Sequence, residues 1–62
     1  MDEQEFTEQE FTEFLSEALG EYHQTVNIIE TFEEAGVLTS NKGLVVDTVD
    51  GHQFQVTVVK SK

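Results

Sequence analysis

Apolar residues in the first half of the chain recur at three- and four-residue steps, the period of an amphipathic helix. This stripe consists of Phe11, Phe14, Leu15, Ala18, Leu19, Tyr22, Val26, Ile29 and Phe32. Thr7 and Glu10 have the spacing of a capping box, which marks a helix start. Phe6 precedes that cap and can pack on Phe11 as a hydrophobic staple. We therefore expect a helix that begins at Thr7, with an earlier start at Asp2 as the alternative.

Gly20 falls inside this stripe without shifting its phase, so two alternatives stay open. One is a single helix, bent at Gly20, since an interior glycine costs only about 1 kcal/mol relative to alanine. The other is a pair of helices, with Gly20 at the end of the first. In both cases Gly36 occupies the glycine position that commonly ends a helix. Residues 1–36 are therefore predicted to be helical.

Residues 37–62 predict a β-hairpin. Leu44–Thr48 and His52–Val59 are rich in Val, Thr and Phe, and the loop Val49–Gly51 separates them. A three-residue loop that ends in a left-handed glycine forms a type I turn with a G1 bulge. The corresponding register collects most apolar side chains on one face: Leu44, Val46 and Thr48 beside His52, Phe54, Val56 and Val58. Residues 37–39 could add a short third strand.

The predicted fold class is therefore α+β, with an N-terminal amphipathic helix and an antiparallel β-hairpin packed on it. Residues 1–62 form a single small acidic domain. A chain of this size buries only about 60 % of its unfolded surface, so it commonly needs an additional source of stability. Because the chain has no cysteine, disulfides and thiolate metal sites are excluded. Oligomerisation remains, and we expect a homo-oligomer.

Charge is strongly segregated along the chain. Thirteen Asp and Glu face three Lys, for a formal net charge of −10. Residues 1–34 hold eleven of the acids and no Lys, whereas residues 35–62 hold two Asp and all three Lys, or 3 − 2 = +1. Because DNA and lipid surfaces are anionic, direct binding to nucleic acid or membrane is not expected, and a basic host protein is the favoured foreign partner.

The sequence also predicts a cytoplasmic protein. The stretch at residues 1–6 is acidic, unlike the basic start of a secretory signal. The chain contains no apolar run long enough to span a membrane.

The width of the apolar stripe supports our first functional hypothesis, a small non-enzymatic protein–protein interaction module. A hairpin of two strands is too small to bury the whole apolar stripe of the helix. The part of the stripe that it leaves exposed is predicted to form a subunit interface. The expected interface and core residues are Phe11, Leu15, Tyr22, Ile29 and Phe32. The alternative is that the helix bends at Gly20 and buries the surplus within one chain.

An acidic helix face supports a second hypothesis, an inhibitor that imitates DNA and blocks a nucleic-acid-binding protein. The face consists of Glu10, Glu13, Glu17 and Glu21. The last three recur every four residues, a rise of about 6 Å per step, comparable in scale with the phosphate spacing of about 3.4 Å along a DNA strand. The alternative role of this face is to keep a small protein in solution.

No catalytic, cofactor-binding or metal-binding residue is predicted. The acids lie on an outer helix face rather than in an apolar pocket that would raise the pKa of a carboxyl for acid–base work. Nothing in the spacing joins His23 to His52 as ligands of one metal. Residues 4–8 and 9–13 repeat the pentapeptide QEFTE, which is either a docking arm with phenylalanine anchors or a local duplication.

The C-terminal half contains a set of turn and strand segments, namely Phe32–Thr39, Gly43–Val46 and Asp50-Gly51 with Phe54–Val59. In these segments the chain resembles small uncharacterised proteins of phages and prophages in Gram-positive bacteria. It implies a phage-encoded accessory or assembly protein in the host cytoplasm. It implies no assigned activity and no catalytic residue, and it does not extend to the acidic first half.

Overall fold

The computed structural model describes residues 6–62. Its elements are helix α1 (Glu8–Gly20), strand β1 (Val26–Thr31), the single-turn helix α2 (Phe32–Ala35), and strands β2 (Lys42–Thr48) and β3 (Gln53–Val58). The strands form one antiparallel sheet in the order β1-β2-β3. Because α1 packs against all three strands, the predicted α+β class with a helix on a hairpin is confirmed.

Helix α1 begins where the capping-box pattern predicts. The Thr7 hydroxyl accepts a hydrogen bond from the Glu10 N–H at 3.0 Å, and the Glu10 carboxylate accepts one from the Thr7 N–H at 3.0 Å. The rings of Phe6 and Phe11 lie 6.2 Å apart between centroids, which is the predicted staple contact. The alternative start at Asp2 lies outside the described residues.

The prediction of helix up to Gly36 is wrong for β1. Helix α1 ends at Gly20, and the chain turns so that the Val26 N–H donates to the Tyr22 carbonyl at 2.7 Å. Four of the six residues of β1 are β-branched, and such side chains fit the pleated surface of a sheet better than a helix. Pairing with β2 therefore outweighs the helical spacing of the apolar residues in this segment.

A second capping box starts α2 immediately after β1. The Thr31 hydroxyl accepts from the Glu34 N–H at 3.1 Å, and the Glu34 carboxylate accepts from the Thr31 N–H at 2.9 Å. Gly36 follows with a left-handed φ of 76°, so its predicted role as a helix stop is confirmed. Residues 37–39 form no strand; the third strand of the sheet is β1 instead.

The predicted hairpin register is confirmed. Leu44 lies opposite Val56, and Val46 lies opposite Phe54. Gly51 has a φ of 90°, the left-handed conformation that a G1 bulge requires of the last loop residue. The hairpin therefore presents an apolar face and a more polar face, as its alternation indicates.

The core lies on the central strand. Leu44 is completely buried and Val46 nearly so, whereas Glu30, Gln55 and other polar residues of the second face are exposed. We infer from this contrast that α1 covers the face that carries Leu44 and Val46. Val45 is also buried, although it lies on the second face, where its neighbours across the sheet are Glu30 and Gln55.

Gly43 allows the one close approach in this core. A Cβ added there would lie 2.5 Å from two ring carbons of Phe32 and still closer to the Val56 carbonyl oxygen. The ring of Phe32 therefore packs directly on the backbone of β2. Only glycine fits between that ring and the neighbouring strand.

Replacing Gly43 by alanine is expected to destabilise the chain by about 1–3 kcal/mol, because the methyl group overpacks a filled site. Gly20→Ala is the matched control, since a Cβ there meets nothing within 4 Å and alanine favours helix by about 1 kcal/mol. Urea denaturation followed by circular dichroism measures both. Equal free energies of unfolding for Gly43→Ala and the parent chain would contradict the packing described.

Candidate functional site

Three phenylalanines form a surface cluster at the start of α1. Phe6, Phe11 and Phe14, hereafter the aromatic cluster, have ring centroids 5.8–6.2 Å apart, within the range of favourable aromatic pairs. They are nevertheless 50 %, 40 % and 52 % exposed. Contiguous exposed apolar surface of this kind marks interaction sites more often than isolated apolar residues do.

An open apolar groove lies between this cluster and β3. Phe11 and Leu15 of α1 form one wall, and Val56 and Val58 of β3 contribute to the other. The groove has a volume of about 400 Å³. It exists because α1 lies closer to the other two strands and leaves β3 partly uncovered. The groove and the aromatic cluster form one continuous apolar surface.

One end of the groove is closed by a contact between distant parts of the chain. The Glu8 carboxylate accepts a hydrogen bond from the Lys60 N–H at 2.8 Å. This contact holds the segment after β3 against the first turn of α1. The aromatic cluster is thereby kept beside β3.

Strand β3 is an outer strand of the sheet and contains no charged residue. Phe54, on the apolar face, is 57 % exposed. The chain therefore exposes an aromatic residue on β3 as well as those on α1, and both lie on the same side of the molecule.

Of the five residues predicted for the core and subunit interface, the structure brings two together on one surface. Phe11 and Leu15 line the groove. Ile29 is half-buried on the apolar face of the sheet, and Phe32 belongs to the core of its own chain. Tyr22 is largely exposed in the turn after α1. These five do not share one surface, because β1 carries Ile29 back across the sheet instead of continuing the helix.

Phe14 and Phe54 are two of the exposed apolar residues that the predicted interface omits. The signal for Phe14 is its position three residues after Phe11, which places the two side chains on adjacent turns of one helix flank. The signal for Phe54 is its position in an uncharged strand of the predicted hairpin.

All four glutamates of the predicted acidic face are exposed. Glu10 lies about half a turn from the buried Thr12 and so points away from the sheet, whereas Glu13 lies on a flank of the helix, where it lines a pocket with Phe32. Glu10 also serves the capping box, and Glu13 accepts a hydrogen bond from the Gln9 amide at 3.3 Å. Lys42 pairs instead with Glu33 at 3.3 Å, on the far side of α1 from β3. Among the described residues, no lysine pairs with the acidic face.

The hairpin turn holds a third polar feature. The Asp50 carboxylate accepts a hydrogen bond from the Thr48 hydroxyl and lies 3.1 Å from His52 Nδ1. These contacts, with the Thr48 hydrogen bond as the largest, lower the pKa of Asp50 below its usual 3.8. Asp50 therefore stays charged at the loop end of β3.

Within residues 6–62, no three His, Cys, Asp or Glu side chains are grouped closely enough to hold a metal ion. No helix in this part of the chain has the length and apolar character needed to cross a membrane. Comparison with known proteins finds no matching family model, curated protein or solved structure. We take the aromatic cluster and its groove as the candidate site, because exposed aromatic rings adjoin an open apolar groove there.

The Asp50 contacts predict a small loss of stability in acid. Since the pKa is lowered in the folded chain, the stabilisation is present above about pH 3.8 and is lost as pH falls through the folded pKa. Carboxyl-carbon NMR titration should give a midpoint below 3.8 for Asp50. Thr48→Val should raise this midpoint, whereas Thr48→Ser, which keeps the hydroxyl, should not. A midpoint unchanged by Thr48→Val would contradict the assignment.

Proposed function

We propose that this chain is a small non-enzymatic protein–protein interaction module that forms homo-oligomers. The contact surface consists of the aromatic cluster and the adjoining groove. The observation that carries this proposal is the exposure of three mutually packed phenylalanines beside an open apolar groove. Buried aromatic anchors supply a large share of the binding energy in protein interfaces, and a groove accepts them.

The small size of the core supports self-association. Among the described residues the buried apolar side chains are Phe32, Leu44, Val45 and Val46. A chain with so few buried side chains gains stability when a bound partner covers further apolar surface, because binding favours the folded state. A second copy supplies such a partner wherever the protein is made.

The resemblance of the C-terminal half supports a more specific setting for this module. On that basis alone we place it among phage-encoded accessory or assembly proteins in the host cytoplasm. In that setting a basic host protein is the second class of partner, because the acidic face of α1 stays exposed when the groove side is occupied. The proposed function needs no catalytic residue and no cofactor.

The acidic face supports one alternative function, that of a DNA mimic. Its four glutamates are exposed and pair with no lysine among the described residues. A basic DNA-binding cleft would be attracted to such a surface, and the attraction would weaken as salt increases. Self-association of a chain with net charge −10 has the opposite dependence, because salt screens the repulsion between copies.

Phe14→Ser is expected to weaken self-association at least tenfold, because it removes an aromatic anchor at little cost to the isolated chain. Leu38→Ser is the matched control, since Leu38 is fully exposed in a loop remote from the groove. Sedimentation equilibrium at micromolar concentration measures both. A parent chain that sediments as a 7.0 kDa monomer at micromolar concentration and high salt would contradict the proposal.

The DNA-mimic alternative predicts that Glu13, Glu17 and Glu21 are jointly required for binding a basic partner. The probe is the set of proteins that the immobilised chain retains from a Gram-positive lysate and that duplex DNA elutes. The triple Glu→Gln variant should lose them. A control with Glu30→Lys and Asn41→Lys changes the net charge by the same amount and should retain them. Equal retention by both variants would contradict the alternative.

A further inference from the structure

The free edge of β3 lacks the features that usually prevent strands of different chains from pairing. Protected edges carry charges, proline or bulges, whereas β3 reads QFQVTV and pairs with β2 without a bulge. The other edge, on β1, has the charged residue Glu30 and an irregular register between Val26 and Ile28. Its Thr31 N–H is already bound by a glutamate carboxylate. Of the two edges, β3 is the one that is open to another strand.

The register determines which backbone groups point outwards from β3. The Thr48 N–H donates to the His52 carbonyl at 2.8 Å, so these residues form a hydrogen-bonded pair. Hydrogen-bonded and non-hydrogen-bonded pairs alternate along an antiparallel ladder. Gln53, Gln55 and Thr57 therefore direct their N–H and C=O groups away from β2, and no described residue binds them.

We infer that β3 pairs antiparallel with β3 of a second copy, about a twofold axis at Gln55, so that three strands of each copy join in one continuous sheet. This inference rests on the proposed function and specifies its interface. A twofold interface uses the same patch on both copies, and a strand that pairs with itself satisfies this requirement. Uncharged side chains on β3 allow the approach despite the acidic character of the chain as a whole.

With the twofold axis at Gln55, every outward-pointing backbone group of β3 can form a hydrogen bond with the second copy. With Gln55 opposite itself, Gln53 lies opposite Thr57 of the second copy, and all outward groups form hydrogen-bonded pairs. A shift of the axis by one residue in either direction leaves one outward residue without a partner inside β3. The same centre places Phe54 opposite Val56 of the second copy, which covers an exposed aromatic ring.

Charge at the ends of β3 favours the same register. In the register centred on Gln55, Asp50 of one copy lies towards Lys60 of the other. Asp50 is held charged in the hairpin turn, and Lys60 belongs to the segment that carries the remaining positive charge of the chain. Among the acids of α1, Glu10 and Glu17 are exposed on the helix, whereas Glu8 lines the groove and accepts the hydrogen bond from the Lys60 N–H.

The aromatic cluster then gains a partner as well. A twofold axis perpendicular to the sheet leaves both α1 helices on the same face. Phe6 and Phe11 of the cluster line a groove that runs beside Val56–Lys60, on the C-terminal side of Gln55, so the cluster of each copy faces the end of the other copy's β3 that carries Phe54. Pairing of the two β3 edges would thus cover the exposed rings of both α1 and β3 in a single interface.

Cysteine cross-linking tests the pairing and its register, since the chain has no cysteine of its own. In the inferred dimer, Gln55→Cys places two Cα atoms about 5.5 Å apart, within the range of a disulfide. Gln53→Cys and Thr57→Cys are matched controls, because each would lie about 14 Å from its own equivalent. Oxidation should cross-link Gln55→Cys at least tenfold faster than either control, and a mixture of the two controls should cross-link to each other.

Sedimentation of the parent chain separates the outcomes. A dimer whose Gln55→Cys variant cross-links no faster than the controls would overturn the β3 pairing and leave the proposed function standing. A monomer without cross-links would overturn both the β3 pairing and the proposed function.

Gln55→Lys adds a second test. Two like charges would meet on the axis, so this variant should raise the dissociation constant of the dimer at least tenfold. Asn27→Lys adds the same charge near the β1 edge and should leave that constant within twofold.

Discussion

The packing of a single helix of thirteen residues on a sheet of three strands is the contact on which the rest of the molecule depends. Such a helix covers a strip about 10 Å wide. A sheet of three strands is wider than this strip, because the axes of its two outer strands already lie about 9.6 Å apart and each strand adds its own width. Helix α1 therefore covers the central strand well, where Leu44 and Val46 are buried. It leaves β3 only partly covered, and the groove, the exposed Phe54 and the aromatic cluster all lie along that uncovered margin.

Two local devices hold α1 in this position. The capping box at Thr7 fixes where the helix starts, and the hydrogen bond from the Lys60 N–H to Glu8 fixes that end against the segment after β3. Phe11 and Leu15 face the groove as a result, whereas Glu10 and Glu17 are exposed on the helix. Under the proposed function, opposite responses to salt distinguish binding at the groove from binding at the acidic face.

Local signals made much of the fold predictable. The turn chemistry of Val49–Gly51 and the alternation around it determine the hairpin register, and Thr7 with Glu10 determines the helix start. The segment at β1 was not predictable from spacing, because Val26 and Ile29 are three positions apart and continue a helical stripe. Two signals oppose the helix there: the β-branched content of β1, and the capping-box spacing of Thr31 and Glu34, which marks a new helix start after it.

The candidate site was predictable in kind but only partly in its residues. An apolar stripe wider than the chain can cover indicates a binding surface, and Phe11 and Leu15 do lie on the groove. Tyr22, Ile29 and Phe32 are placed elsewhere by the return of the chain through β1. Which flank of α1 stays uncovered depends on where the helix crosses the sheet, a tertiary property that no local pattern encodes. The sequence signals for Phe14 and Phe54 are therefore weak, and the fold shows that both side chains are exposed.

Amide hydrogen exchange at Gln55 tests the central claim most directly. Its N–H points away from β2, so in an isolated chain it is exposed to water even while the sheet stays intact. The account predicts that protection of this amide increases as the protein concentration is raised through the association range. Protection of the Val46 amide, on the central strand, serves as the internal reference for folding. Fast exchange at Gln55 that is independent of concentration, with Val46 protected throughout, would contradict the claim that the uncovered margin of the sheet is a contact surface.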